Sequence, residues 1–423
     1  MGNRVVITGL GVVAPNGVGL DAFTYSIKNG ISGIKFDPEL ERLQFSCQIS
    51  GKPEISTDLA LNYFSELELR NFNSSGILYG VIAGIDAWKD AGLPMKIEEE
   101  PDWDSGTIFG TGTSGIDKFR ESIYKIDDLQ TRRLGSTAVA QTMNSGVSAY
   151  LGGKIGLGNQ VTTNSSACTT GTESIMMAFD RIKSGQAKRI LAGSTSDSGP
   201  YIWGGFDAMR VCTFKHNNSP EQGSRPMSAS ASGFVPGSGA GALVLEDLQS
   251  ALDRGARIYA EVLGGNINSG GQRGEGSMTA PNPVAVQKCI KNAIANAGIN
   301  ADEIDTINGH LTATAKDGLE IQNWSQALER TGINFPYINS LKSMVGHCLS
   351  AAGSIECVAS VLQLHQGFIF PNINCEDLHP EITDKIDATR IPQQLIIKEL
   401  TIVAKASFGF GDVNGCVIFK KYK

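Results

Sequence analysis

Residues 160–192 read QVTTNSSACTTGTESIMMAFDRIKSGQAKRILA. The β-branched run at 160–164 predicts a strand. From about 169 to 184, Ile175, Phe179 and Ile182 recur at spacings of four and three, one face of a helix. Gly185 stands where a C-cap belongs. Residues 189–192 return as a strand. A strand, a helix and a strand in such close succession predict a parallel or mixed sheet covered by helices.

The same alternation spreads outward in both directions. Upstream, 5–8 reads as a strand, 78–91 as a helix carrying Val81, Ile85 and Trp88, and 107–110 as a strand entering a glycine turn. Downstream, 240–246 is a strand and 248–254 a helix. Near Ile258 the pattern restarts. Strands at 259–263, 306–308, 338–340, 402–408 and 416–420 alternate with helices at 285–296, 318–330 and 347–366. The economical description is α/β, with two similar halves, 1–255 and 256–423, sharing one core. No residue-by-residue repeat accompanies them.

Composition excludes several classes. The chain has 423 residues, 50 of them glycine, without a G-X-Y period. Charged residues are 19% and net charge is −7, which excludes disorder through charge and a general nucleic-acid binder. No apolar run is long enough to span a membrane. Val5-Val6-Ile7-Thr8-Gly9-Leu10-Gly11 does not read as a secretory signal, so a cytoplasmic setting is expected. The eight cysteines form no CxxC and no zinc-like cluster, which predicts reduced thiols, no disulfide framework and no metal.

Four segments could carry chemistry. In Thr163-Asn164-Ser165-Ser166-Ala167-Cys168-Thr169-Thr170-Gly171, a cysteine at a helix start meets convergent N–H groups. That position should lower a thiol pKa and hold an oxyanion; the rival reading is a buried structural cysteine. In Asn308-Gly309-His310-Leu311-Thr312-Ala313-Thr314, with Asp317 and Glu320 following, a histidine follows a short strand. In Ser340-Leu341-Lys342-Ser343-Met344-Val345-Gly346-His347, a second histidine sits at the mouth of a helix, where the dipole keeps imidazole neutral. In Ser407-Phe408-Gly409-Phe410-Gly411-Asp412, a glycine-aromatic turn approaches a ligand or closes a hairpin. Taken singly, either histidine could be an ordinary polar residue. His216 reads as surface, His365 as packed and His379 as loop.

Taken in order, this set resembles the β-ketoacyl-acyl-carrier-protein synthases, the condensing enzymes of fatty-acid and polyketide assembly. The resemblance runs nearly end to end, through Gly110-Thr111-Gly112, Gly233-Phe234-Val235, Gly239-Ala240-Gly241 and Leu243-Val244-Leu245-Glu246. It is to the elongating, Cys-His-His branch. It implies a thiolase-like five-layer α-β-α-β-α fold built from two βαβαβαββ halves, as a homodimer or a heterodimer with a ketosynthase-like subunit. It also implies that Cys168 accepts an acyl group from an acyl carrier protein and that the N–H groups of Cys168 and Phe410 form the oxyanion hole. His310 and His347 would hold the enolate left when malonyl carrier protein loses carbon dioxide. Lys342 and Glu320 would be a charged pair positioning the histidines, with Asp317, Thr312 and Thr314 in support. Thr113, Phe408, Gly409, Phe410 and Gly411 would line or gate the acyl tunnel. No bound cofactor is implied, since the carrier brings its own phosphopantetheine. Arg70, Lys215 and Arg225 are candidates for carrier docking.

Departures from the family pattern surround this set. Leu311 replaces a glycine, Ala315 a proline and Asp412 a glycine. Ser228–Ser232 stands where aspartates are usual. With Thr113, these changes suggest an unusual acyl substrate, such as a polyene, rather than an ordinary saturated chain. The reading from another class is a non-catalytic partner, like a chain-length factor, that only shapes the tunnel. Such partners lack the cysteine, and fast alkylation of Cys168 would distinguish the two.

Overall fold

A computed structural model describes residues 2–96 and 100–423. Its first five principal strands are β1 (Val5–Ala14), β2 (Ser105–Thr111), β3 (Val161–Thr162), β4 (Arg189–Ser196) and β5 (Gly239–Asp247). The second five are β6 (Ala260–Ser269), β7 (Thr306–Asn308), β8 (Tyr337–Asn339), β9 (Ile402–Gly409) and β10 (Val413–Lys420). The helices that matter here are α1 (Ser75–Asp90), α2 (Ile116–Asp127), α3 (Gly146–Ile155), α4 (Thr170–Lys183), α5 (Pro283–Ala297), α6 (Asp317–Leu328) and α7 (Ala352–Gln366).

Hydrogen bonds order the strands β3-β2-β4-β5-β1 in the first half and β8-β7-β9-β10-β6 in the second. The pairings repeat as well. β2 runs parallel to β3 and β4, while β5 is antiparallel to β4 and β1. β7 runs parallel to β8 and β9, while β10 is antiparallel to β9 and β6. Val5–Ile7 of β1 pairs with Ala260–Val262 of β6 and joins the two sheets.

The layers follow from the contacts. α1 and α3 cover the outer face of the first sheet, and α5, backed by α6, covers that of the second. α4 and α7 pack on each other and on strands of both halves, so they lie between the sheets. This is the expected thiolase-like five-layer α-β-α-β-α arrangement. A sheet covered on both faces needs continuous apolar strands, and all of β1 is buried. Its glycines have a steric cause. A Cβ on Gly9 would lie 2.2 Å from the Ala87 carbonyl oxygen, and one on Gly11 2.0 Å from that of Ala83. The backbone of α1 rests directly on the strand.

Two boundaries differ from the sequence reading in ways that matter. β3 is only two residues long, because 163–168 leaves the sheet to form the turn into α4. The helix expected from 347 begins at Ala352. Gly346 has φ +68° and Leu349 φ +50°, and these left-handed residues interrupt the helix. His347 therefore sits in an irregular segment, not at a helix mouth. Among the described residues, no helix is long and apolar enough to cross a membrane.

Candidate active site

The turn into α4 is held from several sides. Thr170 Oγ1 accepts from the Ser166 N–H at 2.8 Å and donates to the Ala167 carbonyl at 2.7 Å. Glu173 accepts from Ser166 Oγ and Asn164 Nδ2. Ala167 has φ +50°, a strained conformation for a residue with a side chain. The result presents Cys168 at the end of the turn, with the backbone N–H groups of Phe410 and Cys168 itself close enough to the sulfur to lower its pKa.

Burial nevertheless dominates. It pushes the Cys168 thiol up to about 11, against the pull of Lys342 and the two N–H groups. The expectation that a helix start would lower this pKa is thus corrected: desolvation of the thiolate outweighs the local donors. Cys168 is still the least raised of the eight free, buried cysteines, the others being pushed to about 12 or beyond.

His310 and His347 face this sulfur. The ligating atoms of Cys168, His310 and His347 all lie within 4.8 Å of one another. The two rings meet edge to face at 5.3 Å. His347 Nδ1 accepts from the Leu349 N–H at 3.2 Å, which places the ring proton on Nε2. Its backbone is fixed by Val235 and Gly237, the role of the Gly233-Phe234-Val235 segment. Burial first, then Lys342 and other nearby positive groups, push both imidazoles well below the usual histidine range. Neutral rings that can donate hydrogen bonds are the outcome.

Glu320 and Asp317 shape the His310 loop from beneath. Glu320 accepts from the N–H groups of His310 and Leu311, each at 2.7 Å. Asp317 accepts from Thr312, Ala313 and Met227. Thr312 and Thr314 join through their hydroxyls at 3.0 Å. Lys342, however, does not pair with Glu320. It pairs with Glu356 of α7, both side chains almost wholly buried. A second buried lysine, Lys405, reaches the other oxygen of Glu356 at 2.8 Å. Neither Glu356 nor Lys405 was reached from the sequence, although a lysine inside the otherwise apolar strand 402–408 was a usable signal.

The cavity in front of Cys168 measures about 410 Å³, and Phe206, Phe234, Phe408 and Phe410 form much of its apolar wall. A Cys-His-His cluster could also ligate a metal. Two buried lysines beside one carboxylate make this floor electropositive, which suits a thiolate or enolate and opposes a divalent cation.

The model of the β-ketoacyl synthase amino-terminal domain matches residues 2–251, and that of the carboxy-terminal domain matches 259–376. The chain belongs to the β-ketoacyl synthase family. It is 32% identical over 439 residues to the chloroplastic 3-oxoacyl-[acyl-carrier-protein] synthase I of Arabidopsis thaliana, covering 99% of this chain and 87% of the plant protein. It is 32% identical over 425 residues to 3-oxoacyl-[acyl-carrier-protein] synthase 1 of Escherichia coli K12, covering 99% of each. A chain from the structure of a type II polyketide synthase acyl-carrier protein in complex with its ketosynthase, bound to the hexaketide, superposes over all of both chains. Its TM-score is 0.87 at 27% identity. These likenesses make the protein a condensing acyltransferase and favour that reading over a non-catalytic partner.

Several residues singled out by their departure from β-ketoacyl synthase pattern lie off the cavity. Thr113 is exposed beyond β2 and lies outside the cavity wall. Leu311 is fully buried in the core of the second half, beside Met227 and Trp324. Ser228 and Ser230 bond Asp377. Burial raises the Asp377 carboxyl, but hydrogen bonds from Ser228, Ser230 and Arg225 outweigh it and hold it down at about 2. Arg225 pairs with Glu376 at 2.9 Å and Asp377 at 3.2 Å, so it is not a free docking cation. Arg70 and Lys215 are exposed. Phe408, Gly409 and Phe410 line the cavity, while Gly411, at φ +86°, turns away from it. At the mouth, Lys316 and the neighbours of exposed Arg210, Met209 and Val211, form part of the wall.

Proposed function

We propose that the protein carries out decarboxylative condensation of an acyl group held on Cys168 with malonyl carrier protein, in type II fatty-acid or polyketide elongation. The observation that carries this is the convergence of one thiol and two neutral imidazoles within 4.8 Å at the end of an apolar cavity.

In the first step, Cys168 sulfur bonds to the acyl carbon, the carrier's carbon–sulfur bond breaks, and the carrier thiol leaves with the proton from Cys168. The N–H groups of Cys168 and Phe410 receive the developing oxyanion. In the second step, the bond from malonyl carbon to carboxylate breaks and carbon dioxide departs. The electron pair stays on the thioester as an enolate, held by His310 and His347 through N–H donation. That pair forms the new carbon–carbon bond, the acyl carbon–sulfur bond to Cys168 breaks, and the released thiolate takes a proton from water. Glu320 and Asp317 set the His310 loop, and Lys342 supplies positive charge beside the thiolate.

The partner in this reading is an acyl carrier protein, whose phosphopantetheine brings the thioester, so no organic cofactor is assigned to the enzyme. Lys215 and Arg70 remain docking proposals, joined by Lys316 and Arg210. A homodimer or heterodimer is supported by the free edge of β3 and by exposed Phe119, Ile123 and Ile126 on α2. A reducing, cytoplasmic setting and a division near residue 255, between the two sheets, belong to the same proposal. The test is mass spectrometry after incubation with acyl carrier protein: an acyl adduct on the Cys168 peptide, absent in Cys168→Ala, is expected. An adduct retained in that variant overturns the assignment. A wild-type protein that takes no acyl group and releases no carbon dioxide would favour the chain-length-factor reading.

A further inference from the structure

We propose that Lys405 is a positioning residue of the condensing reaction: with Lys342 it encloses Glu356 between two cations and leaves the floor of the site with one surplus positive charge. The inference rests on the condensing reading above.

The geometry is that of a buried relay. The side chains of Lys342, Glu356 and Lys405 are 1%, 2% and 0% exposed. Lys342 donates to Glu356 Oε1. Lys405 Nζ lies 2.8 Å from Glu356 Oε2, a contact of charges that is out of line for a hydrogen bond. Its protons go instead to the Ala406 carbonyl and to Ser407 Oγ at 2.8 Å. Ser407 Oγ then meets Thr172 Oγ1 at 2.9 Å, on the first turn of α4 beside the Cys168 elbow. One lysine thus ties α7, α4 and the strand that continues into Phe408-Gly409-Phe410.

A single buried lysine–glutamate pair is neutral and would satisfy the carboxylate. A third group of the same sign as the first is costly to bury unless a negative charge answers it. The ionisable groups facing Lys405 come from every neighbouring element: Glu356 and Cys357 on α7, Cys416 on β10, Lys342 and His347 on the segment before α7, and His310 after β7. Of these only Glu356 is a resting anion, and the next carboxyl groups, Asp317 and Glu320, are engaged by backbone N–H groups of the His310 loop and of Met227. The charge that answers the surplus arrives with the chemistry, as thiolate, oxyanion or enolate. Meanwhile Lys405 is one of the groups that keep both imidazoles neutral, after burial and Lys342.

Carbon dioxide release from malonyl carrier protein, followed against pH, tests this in wild type, Lys405→Gln and Lys405→Gln/Glu356→Gln. Glutamine can keep the bond to Ser407 while removing the charge. Loss of Lys405 should raise both histidine pKa values, so the acid limb moves to higher pH, and loss of the charge that answers the enolate should lower the alkaline plateau several-fold. The double variant restores one surplus positive charge and should return the limb toward wild type. A limb unmoved in Lys405→Gln, or an equal loss at every pH in both variants, overturns the proposal. So does failure of both variants to fold, which would confine Lys405 to stability. A wild-type enzyme that releases no carbon dioxide overturns the condensing reading itself, and this inference with it.

Discussion

Gly409 lies against the backbone of Cys168 with no room for a side chain. A Cβ there would come within 3.1 Å of the Cys168 nitrogen and 2.9 Å of Thr169 Oγ1. This contact lets the Phe410 N–H approach the sulfur. Gly409→Ala should push the turn away and cost about 10²-fold in acylation of Cys168, the size of one lost oxyanion donor. Single-turnover acylation followed by mass spectrometry measures it, with thermal unfolding to separate any loss of fold.

His310→Ala and His347→Ala should each slow decarboxylation of malonyl carrier protein by about 10²–10³-fold. Each should still take an acyl group on Cys168, because the thiol and its N–H donors remain. Measuring carbon dioxide release and adduct formation on the same samples checks the split. Unimpaired release in both variants would remove the imidazoles from this step.

Burial pushes Glu320 up to about 7 from 4.5, despite the N–H groups of Leu311 and His310 bonded to it. Between those values the folded protein keeps a proton that the unfolded chain has lost. Stability from this group is therefore present at low pH and declines as pH rises through about 4.5 to 7, by up to about 3 kcal/mol. Urea unfolding at a series of pH values should show a shallower decline in Glu320→Gln than in wild type.

Charge reversal should separate the basic residues near the mouth. Lys215→Glu and Lys316→Glu should weaken binding of an acidic carrier protein several-fold at low salt and less at high salt, as expected for exposed charges. Arg225→Ala should act on stability instead, because its partners Glu376 and Asp377 lie within the chain. Calorimetric titration at two ionic strengths, beside thermal melts, distinguishes these behaviours.

Asp412, at φ +62°, is fully buried and accepts from the N–H groups of Gln272 at 3.0 Å and Asn282 at 2.8 Å. The Gly411 N–H donates in turn to the Met278 carbonyl at 2.8 Å. Asp412→Gly relieves the left-handed conformation but deletes both acceptors. Hydrogen exchange should quicken at Gln272 and Asn282 and stay unchanged in α4. Protection equal to wild type at those amides would mean the carboxylate does not hold the segment.

The residues that sequence could reach are those whose neighbours are close in the chain. Cys168, between a strand and a helix, and His310, ten residues before Glu320 on one turn and its following helix, announce themselves through local spacing. Local spacing points Lys342 to the wrong partner for the same reason. Glu356 lies inside a helix of mostly apolar and small residues, and only the packing of α7 between the sheets brings it to Lys342. The start of α7 is hidden because left-handed Leu349 has no mark in the sequence. Leu311, Asp412 and the serines at 228–232 stood out by residue type. What type cannot say is direction: Leu311 turns into the core, Asp412 toward the N–H groups of Gln272 and Asn282, Ser228 toward Asp377 and Ser232 toward Thr213, none of them toward the reacting atoms.

The matching strand orders of the two sheets give the halves equivalent stations, and those stations have taken on different work. The first turn of α4 follows the nucleophile, whereas the turn leading into its counterpart α7 carries Ser350 and Ala351. Past the end of β7 comes an imidazole; past β2 come Gly112 and Thr113. Two copies of the first half would hold two nucleophilic thiols and neither catalytic imidazole, and two copies of the second would hold the imidazoles with nothing to charge. Chemistry in this molecule is therefore a property of the seam, created by unlike residues at like places.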